Sequence, residues 1–200
     1  DADRCLAVDE NGEIIDGDKI IAICALDMKE RGCLRQNKAV VTVMSNMGFF
    51  KFAEEYGISD EKTKDGDRYV LECMKEHDLS IGGEQSGHVI FHDFATTGDG
   101  QLTAVQLLCA VRRTGAKFSE LASIMNVYPQ VLVNIVVDND KKEFLFEDED
   151  IKKVIFDTEV VLGDDGRVLV RASGTEPLVR VMLEGRDIEQ IGQLAKGIAD

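Results

Sequence analysis

Residues 82–88, Gly-Gly-Glu-Gln-Ser-Gly-His, combine three glycines with a carboxylate, an amide, a hydroxyl and an imidazole. Glycines permit positive φ angles and let a ligand approach the backbone closely. Glu84 can accept hydrogen bonds from two neighbouring sugar hydroxyls, Ser86 can exchange one more, and His88 can donate to an anion or transfer a proton. We therefore predict a sugar-binding loop. The alternative is a glycine-rich turn that carries polar side chains but binds no ligand.

A second loop, residues 171–177 with the sequence Arg-Ala-Ser-Gly-Thr-Glu-Pro, has the composition of a phosphate site. Small residues allow successive backbone N–H groups to point into one anion-binding hollow. Arg171 and Arg180 add guanidinium groups whose geometry matches phosphate oxygens. Ser173 and Thr175 add hydroxyl donors. The alternative is a polar β-turn whose arginine side chains extend into solvent.

Composition limits the classes of partner. The 200 residues are 44% hydrophobic and 30% charged, which is typical of one large or two modest folded domains. The net charge of -15 argues against nucleic acid as a partner, because phosphate backbones require a basic surface. No apolar run is long enough to span a membrane. The five cysteines form no Cys-x-x-Cys pair, so neither zinc nor redox chemistry is indicated, and a reducing cytoplasm fits best.

Strands and helices alternate from about residue 14 to 115, which favours an α/β domain with a mixed, mostly parallel sheet. The β-branched run 39–44 is typical of a strand that is buried on both faces. Ser45 and Asn46 follow it, at the strand-to-helix turn where ligand sites of such sheets usually lie. For Asp67 and Asp99, a helix-capping role and a site role both stay open.

The last third of the chain changes character. Residues 130–137, 159–162, 167–171 and 178–184 are predicted to be strands, the middle two joined as a hairpin, and residues 187–199 form an amphipathic helix. The charged segment 138–153 is predicted to be a solvated helix or loop. These elements favour a small α+β domain with an antiparallel sheet. The expected domains are 12–122 and 127–200, preceded by a remnant of another domain at 1–11.

Taken in order, these motifs resemble the C-terminal half of the α-D-phosphohexomutases. The segments that carry the resemblance are 42–46 (Thr-Val-Met-Ser-Asn), 66–70 (Gly-Asp-Arg-Tyr-Val), 83–88, 96–100 (Thr-Thr-Gly-Asp-Gly) and 171–177. Residues 1–4, Asp-Ala-Asp-Arg, resemble the end of the family's metal-binding loop. The resemblance implies that the two domains are the third and fourth of the family.

The resemblance also implies a mechanism. In this family a phosphoserine beside Mg²⁺ on an upstream domain donates its phosphoryl group to a hexose phosphate, and the resulting bisphosphorylated sugar returns the other phosphate to the serine. The implied substrate-binding residues are Glu84, Ser86, Ser45 and Asn46. The implied phosphate-binding residues are Arg171, Ser173, Gly174, Thr175 and Arg180. His88 and Arg4 would be catalytic, and Asp1 and Asp3 would bind the metal.

The departures from the family pattern lead to further expectations. The phosphoserine loop and the first metal aspartate are absent, so we expect a fragment that needs the missing N-terminal domains of its protein and alone neither isomerises sugar phosphates nor binds Mg²⁺ tightly. Ala172 stands where proline or lysine is common. A hexosamine phosphate is the favoured substrate, with mannose or glucose phosphate as alternatives. A non-catalytic sugar-phosphate-binding module and a purely structural interaction domain are the remaining hypotheses, and the oligomeric state stays open.

Overall fold

The computed structural model describes residues 1–138, 140, 142–173 and 176–199. The chain forms two compact units, residues 1–127 and 128–200, each with its own sheet and its own hydrophobic core. Every helix among the described residues is too short or too polar to span a lipid bilayer.

The first unit begins with a short antiparallel hairpin and continues with alternating strands and helices. The hairpin pairs β1 (Ala7–Val8) with β2 (Ile14–Ile15). The sheet strands are β3 (Lys38–Thr42), β4 (Ser59–Thr63), β5 (Ile81–Gly83) and β6 (Val89–Phe91). The helices are α1 (Gly17–Glu30), α2 (Met47–Glu55), α3 (Asp67–Glu76), α4 (Gly100–Thr114) and α5 (Phe118–Ala122).

The strand order in this sheet is β4-β3-β5-β6. Strand β3 runs parallel to both neighbours, and β6 runs antiparallel to β5. The predicted mixed, mostly parallel sheet is therefore confirmed. Strand β4 was not predicted, because its sequence Ser-Asp-Glu-Lys-Thr contains no apolar residue. It lies at the sheet edge, where only one side is paired and charged side chains discourage association with other chains.

The central strand β3 contributes to a core on each face of the sheet. Ala39 and Val41 pack into a cluster with α1, α2 and the fully buried Phe49, whereas Val40 packs with Val70 of α3. Successive side chains of a strand point to opposite faces, so the centre of a strand between two helical layers must be apolar on both faces. Packing on both faces fixes the position of β3 and of the turn that follows it.

The second unit is an antiparallel sheet with helices. Its elements are β7 (Gln130–Val136), α6 (Lys142–Leu145), α7 (Glu149–Leu162), β8 (Gly166–Ala172), β9 (Leu178–Gly185) and α8 (Ile188–Ala199). The strand order is β7-β9-β8, with both pairs antiparallel, as predicted for an α+β domain. Val181 and Leu183 of the central strand pack in one buried cluster with Ile191 and Ala195 of α8.

The predicted strand at 159–162 is wrong, because these residues end helix α7. Asp148 caps this helix by accepting hydrogen bonds from the N–H groups of Asp150 and Ile151 at 2.9 and 3.2 Å. Residues 151, 155, 158 and 162 are its less exposed positions, and their spacing is that of one helix face. Strand β8 therefore pairs with β9, and the predicted phosphate loop becomes the connection between them.

Candidate active site

The predicted sugar loop is the tight connection between β5 and β6. The N–H of Glu84 donates to the carbonyl of His88 at 2.9 Å, and the N–H of Gly87 donates to the carbonyl of Glu84 at 3.0 Å. Gly87 has a φ of +93°, a conformation that side-chain-bearing residues rarely adopt. The start of α1 packs against this loop, since the N–H of Gly17 donates to the carbonyl of Gln85 at 2.9 Å.

The loop opens onto a polar cavity of about 360 Å³ within the first unit. The residues that line it are Asp3, Arg4, Asp65, Gly66, Asp67, Glu84 and His88. Four predicted site residues thus come together, although two of them lie more than 60 positions from the other two in the chain. Asp65 was not predicted as a site residue. The motif at 66–70 indicated this region without indicating which side chains line the cavity.

His88 is buried, with 4% of its surface exposed, and hydrogen bonds fix its ring. The N–H of Gly98 points at Nε2 at 3.1 Å, so Nε2 is the acceptor of this bond. The proton of the neutral ring is then on Nδ1, which lies 3.3 Å from Oδ2 of Asp3. Oδ2 of Asp67 lies 3.8 Å from Nε2.

Two carboxyl groups of the cavity have shifted pKa values, in opposite directions. A hydrogen bond from its own backbone N–H is the main factor that lowers the pKa of Asp3, and the neighbouring His88 lowers it further. Burial raises the pKa of Glu84, and the carboxylate of Asp65 adds to this effect. Oε1 of Glu84 accepts a hydrogen bond from the N–H of Gly66 at 3.1 Å, which holds the side chain in the cavity wall.

The other site residues predicted for this unit do not line the cavity. Ser86 is exposed at the tip of the sugar loop, and Asp1 is exposed near the start of the chain. Ser45 and Asn46 are buried, and neither is among the residues that line the cavity. Oδ1 of Asn46 caps α2 by accepting from the N–H of Gly48 at 2.9 Å, and the N–H of Asn46 donates to Oδ2 of Asp18 at 2.7 Å. The contacts of Asn46 support the turn after β3, and its role in substrate binding stays a prediction.

Asp1 and Asp3 are the predicted ligands of a metal ion. An ionised Asp3 carboxylate is the kind of oxygen ligand that Mg²⁺ prefers. Among the described residues, no group of three or more His, Cys, Asp or Glu side chains is arranged to bind a metal. The metal-binding role of Asp1 and Asp3 therefore stays a prediction.

The predicted phosphate loop lies in the second unit, between β8 and β9. Arg171 and Arg180 occupy directly opposite positions on these strands, so both side chains lie on the same face of the sheet. The N–H of Ser173 donates to the carbonyl of Leu178 at 2.8 Å, and Oγ of Ser173 accepts from the N–H of Glu176 at 3.2 Å. Arg180 donates to the Glu176 carboxylate at 2.6 Å. Gly174 and Thr175 lie outside the described residues.

A buried lysine contacts the same loop and was missed by the sequence analysis. Lys142, only 7% exposed, donates from Nζ to the carbonyl of Ser173 at 2.9 Å and to the carbonyl of Glu176. The prediction of a solvated segment over 138–153 is therefore wrong at this residue. Its partners are backbone oxygens 31 and 34 positions further along the chain, and such contacts leave no periodic pattern in the sequence.

Comparison with known proteins places both units in one family. Residues 16–128 match the family model described as phosphoglucomutase/phosphomannomutase, alpha/beta/alpha domain III. Residues 132–200 match the model of the phosphoglucomutase/phosphomannomutase C-terminal domain. The chain therefore belongs to the phosphoglucomutase/phosphomannomutase family, and the predicted resemblance to the C-terminal half of the phosphohexomutases is confirmed.

Within this family, the chain is similar to bacterial phosphoglucosamine mutases. It is 58% identical over 200 residues to the enzyme of Caldanaerobacter subterraneus subsp. tengcongensis and 55% identical over 199 residues to that of Clostridium botulinum. All of the chain is covered in both comparisons, against 45% and 44% of the two relatives. The chain thus spans a little less than half the length of the curated relatives it matches.

Solved structures support the same fold. The N-acetylphosphoglucosamine mutase of Aspergillus fumigatus, in a structure with GlcNAc-6P and magnesium, matches 99% of this chain and 46% of its own with a TM-score of 0.77 and 21% identity. A Burkholderia thailandensis protein of the phosphoglucomutase/phosphomannomutase family matches with a TM-score of 0.74 and 22% identity.

Proposed function

We propose that this chain is the sugar- and phosphate-binding half of a phosphohexomutase that interconverts glucosamine 6-phosphate and glucosamine 1-phosphate. In the whole protein the reaction would proceed through a phosphoserine and a bisphosphorylated sugar. The observation that carries the proposal is the cavity in which Glu84, His88 and Arg4 come together. The 58% identity to a phosphoglucosamine mutase supports it.

The cavity is suited to hold the sugar. The N–H of Gly66 fixes Glu84, whose carboxylate can accept hydrogen bonds from two adjacent hydroxyls, and the exposed Ser86 can supply a further bond. His88 and Arg4 would stabilise charge near the reacting phosphate. In phosphoryl transfer most of the rate enhancement comes from positioning and electrostatic stabilisation, so fixed side chains of this kind are what catalysis requires.

The charge of the cavity favours an amino sugar over a neutral hexose. Four carboxyl groups line it, against one guanidinium and one imidazole. A positively charged 2-ammonium group is attracted to such a surface, whereas the 2-hydroxyl of glucose or mannose gains only hydrogen bonds. Glucose or mannose phosphate is the second candidate, because the matching family models are described by those two activities.

The loop between β8 and β9 would bind the phosphate that is not reacting. Arg171 and Arg180 lie side by side on one sheet face, and Ser173 adds a hydroxyl. Arg180 would exchange its present partner Glu176 for the phosphate. Gly174 and Thr175 are proposed to complete this site. Charge-assisted bonds of this type contribute about 1.5–3 kcal/mol each.

In the whole protein, Asp1 and Asp3 would supply two of the ligands of a Mg²⁺ ion. When bound, the ion would neutralise negative charge on the phosphoryl group in transfer. The short distance between Asp3 and His88 would keep the imidazole oriented beside that region.

A chimaeric enzyme tests this proposal. Residues 1–200 of this chain would replace the matching segment of the Caldanaerobacter relative, and turnover of glucosamine, glucose and mannose 6-phosphates would be compared. We expect the chimaera to prefer the glucosamine ester. Glu84→Ala and Arg171→Ala should each lower kcat/KM at least about tenfold, the free-energy equivalent of one lost charge-assisted hydrogen bond.

The 200-residue chain alone serves as the control and is expected to show no turnover. A folded chimaera that is inactive, or one that turns over all three esters equally, would contradict the proposal. Unchanged kinetics in both alanine variants would show that the two loops do not form the site.

A further inference from the structure

We infer that Lys142 is a positioning residue for the phosphate loop, which it holds in a form ready to bind an anion. This inference rests on the proposed function of residues 171–177 as a phosphate site. Lys142 begins helix α6 and lies outside that segment, and none of the motifs of the loop includes it.

The contacts place Lys142 at both ends of the turn. Its Nζ donates to the carbonyl of Ser173 at 2.9 Å and to the carbonyl of Glu176. The side chain of Lys142 thus joins Ser173 to Glu176, the described residues on either side of positions 174 and 175. The bond between the Glu176 N–H and Oγ of Ser173, at 3.2 Å, closes the same turn from within. Together these bonds fix Ser173 and Glu176, the two described residues that flank the centre of the loop.

The burial of Lys142 has an electrostatic consequence. A buried ammonium group is costly unless its donors are satisfied, and the two carbonyl oxygens satisfy two of them. Carbonyl dipoles do not cancel a full charge, and interactions between charges are stronger where water is excluded. The positive charge of Lys142 therefore adds to the field of Arg171 and Arg180 at the loop. Lys142 would act on the phosphate through the order and the potential of the loop, without touching it.

The chain offers a matched control in the first unit. Nζ of Lys29 donates to the carbonyls of Tyr56 and Gly57 at 2.5 and 2.8 Å, and so holds the end of helix α2. Chemically this is the same contact, one ammonium on two nearby carbonyls, but it is made far along the chain from residues 171–177. Lys29→Met should therefore destabilise the fold in a comparable way and leave phosphate binding unchanged.

The experiment compares the wild-type chain 1–200 with Lys142→Met, Lys29→Met and Arg171→Ala. Calorimetric titration with inorganic phosphate and with glucosamine 6-phosphate gives the affinities, at a temperature where circular dichroism shows every variant to be folded. We expect Lys142→Met to weaken binding of both probes about tenfold, the equivalent of one hydrogen bond to a charged group. Lys29→Met should stay within about twofold of wild type, which corresponds to a surface substitution. Amide hydrogen exchange at Ser173 and Glu176 should accelerate only in Lys142→Met.

Lys142→Gln guards against a methionine variant that does not fold, because it keeps two N–H donors without the charge. Its affinity should lie below that of wild type. If Lys142→Met or Lys142→Gln binds phosphate as wild type does while Arg171→Ala has lost binding, the inference is wrong and the proposed function stands. If the wild-type chain binds neither probe, or Arg171→Ala binds as well as wild type, the proposed function fails and the inference fails with it.

Discussion

His88 is held by groups from separate stretches of the chain. Asp3 faces Nδ1 and the N–H of Gly98 faces Nε2, so the neutral ring has one tautomer and one orientation. Which ring nitrogen carries the proton is decided by these partners and not by the imidazole itself.

Gly98 allows the ring to occupy its place. A Cβ at this position would lie 2.4–2.6 Å from three ring atoms of His88, so Gly98→Ala must displace the imidazole. We expect a loss of stability of about 1–3 kcal/mol, as for overpacked interiors, together with a loss of activity in the chimaera. Denaturant unfolding and the imidazole NMR resonances of His88 would measure the two effects.

Gly192→Ala is the matched control. A Cβ at Gly192, in helix α8, meets no atom within 4 Å. The substitution should stabilise the chain by about 0.5–1 kcal/mol, because alanine is the better helix former. Unchanged His88 resonances in Gly98→Ala would contradict the packing that the structure gives to this ring.

Glu84 predicts a dependence of stability on pH. Burial raises its pKa above the ordinary 4.5, so in the window between these values the folded state binds more protons than the unfolded state. Below the ordinary pKa of 4.5, the stability contributed by the protonated Glu84 is fully present. It is lost as the pH rises through the raised pKa of the folded state. Glu84→Gln removes this dependence and keeps an oxygen that can accept from Gly66.

The measurement is thermal unfolding of Glu84→Gln and wild type across that pH window and up to neutrality. As the pH rises, the unfolding temperature of the variant should increase relative to that of wild type, and the difference should then become constant. A difference that is independent of pH would show that Glu84 has the same pKa in both states. If Glu84 binds the sugar as proposed, the same variant should weaken hexosamine binding, because one of its two carboxylate oxygens becomes an amide nitrogen.

At the level of single residues, the sequence indicated which side chains could bind a ligand better than it indicated which residues contact each other. Glu84 and His88 could be singled out because a polar group among glycines has few structural reasons to be there. Asp65 could not be singled out, because it becomes a cavity-lining residue only in the folded chain. Lys142 could not be singled out either, because it contacts two backbone carbonyls that are distant in the sequence. Asn46 is predicted to bind substrate because it follows a buried strand. The same position, directly before helix α2, also explains its helix-capping contact.

Among the elements, helix α1 supports the sugar loop most directly. Gly17 lies so close to this loop that a Cβ there would be 2.0 Å from the carbonyl oxygen of Glu84 and 2.6 Å from the nitrogen of Gly87. Backbone atoms cannot move aside as flexible side chains do. Gly17→Ala should therefore force α1 and the loop apart.

We expect Gly17→Ala to weaken hexosamine binding by the chain and to lower kcat/KM of the chimaera about a hundredfold, the order of loss that a misplacement of about 1 Å produces. Gly197→Ala in α8, where a Cβ meets nothing within 4 Å, is the control and should leave both values unchanged. Titration with glucosamine 6-phosphate and steady-state kinetics are the two measurements. Wild-type affinity in Gly17→Ala would show that the loop tolerates a shift of the helix.

Elements with a strong pattern were predictable, and those with a mixed pattern were not. The centre of strand β3, residues 39–41, is apolar on both faces, and helix α8 is amphipathic, so the hydrophobic pattern of each matched its burial. Strand β4 is polar because it lies at an edge. The end of α7 was read as a strand because Val160 and Val161 are β-branched, although both are exposed on a helix whose buried face includes Thr158 and Leu162.

At the scale of the molecule, the net negative charge opposes the proposed binding of an anion. The chain carries a formal net charge of -15, which repels hexose phosphates on approach. Arg171, Arg180 and Lys142 provide local positive charge within the second unit, where short-range attraction can outweigh the distant field because salt screens the latter.

Fold class and family could be read from the order of motifs along the chain, since that order is a property of the whole sequence. The identity of the favoured hexose could not, because it depends on how side chains from residues 3, 65, 67 and 84 surround one cavity.

The pairing of β8 with β9 sets a limit on how this protein can vary. Arg171 and Arg180 share a sheet face because they are paired directly across the two strands, whose side chains alternate between the faces. Inserting or deleting a single amino acid within either strand would send one guanidinium to the opposite side, whatever residues the turn contains. Natural variants should therefore exchange side chains in this stretch far more often than they change its length.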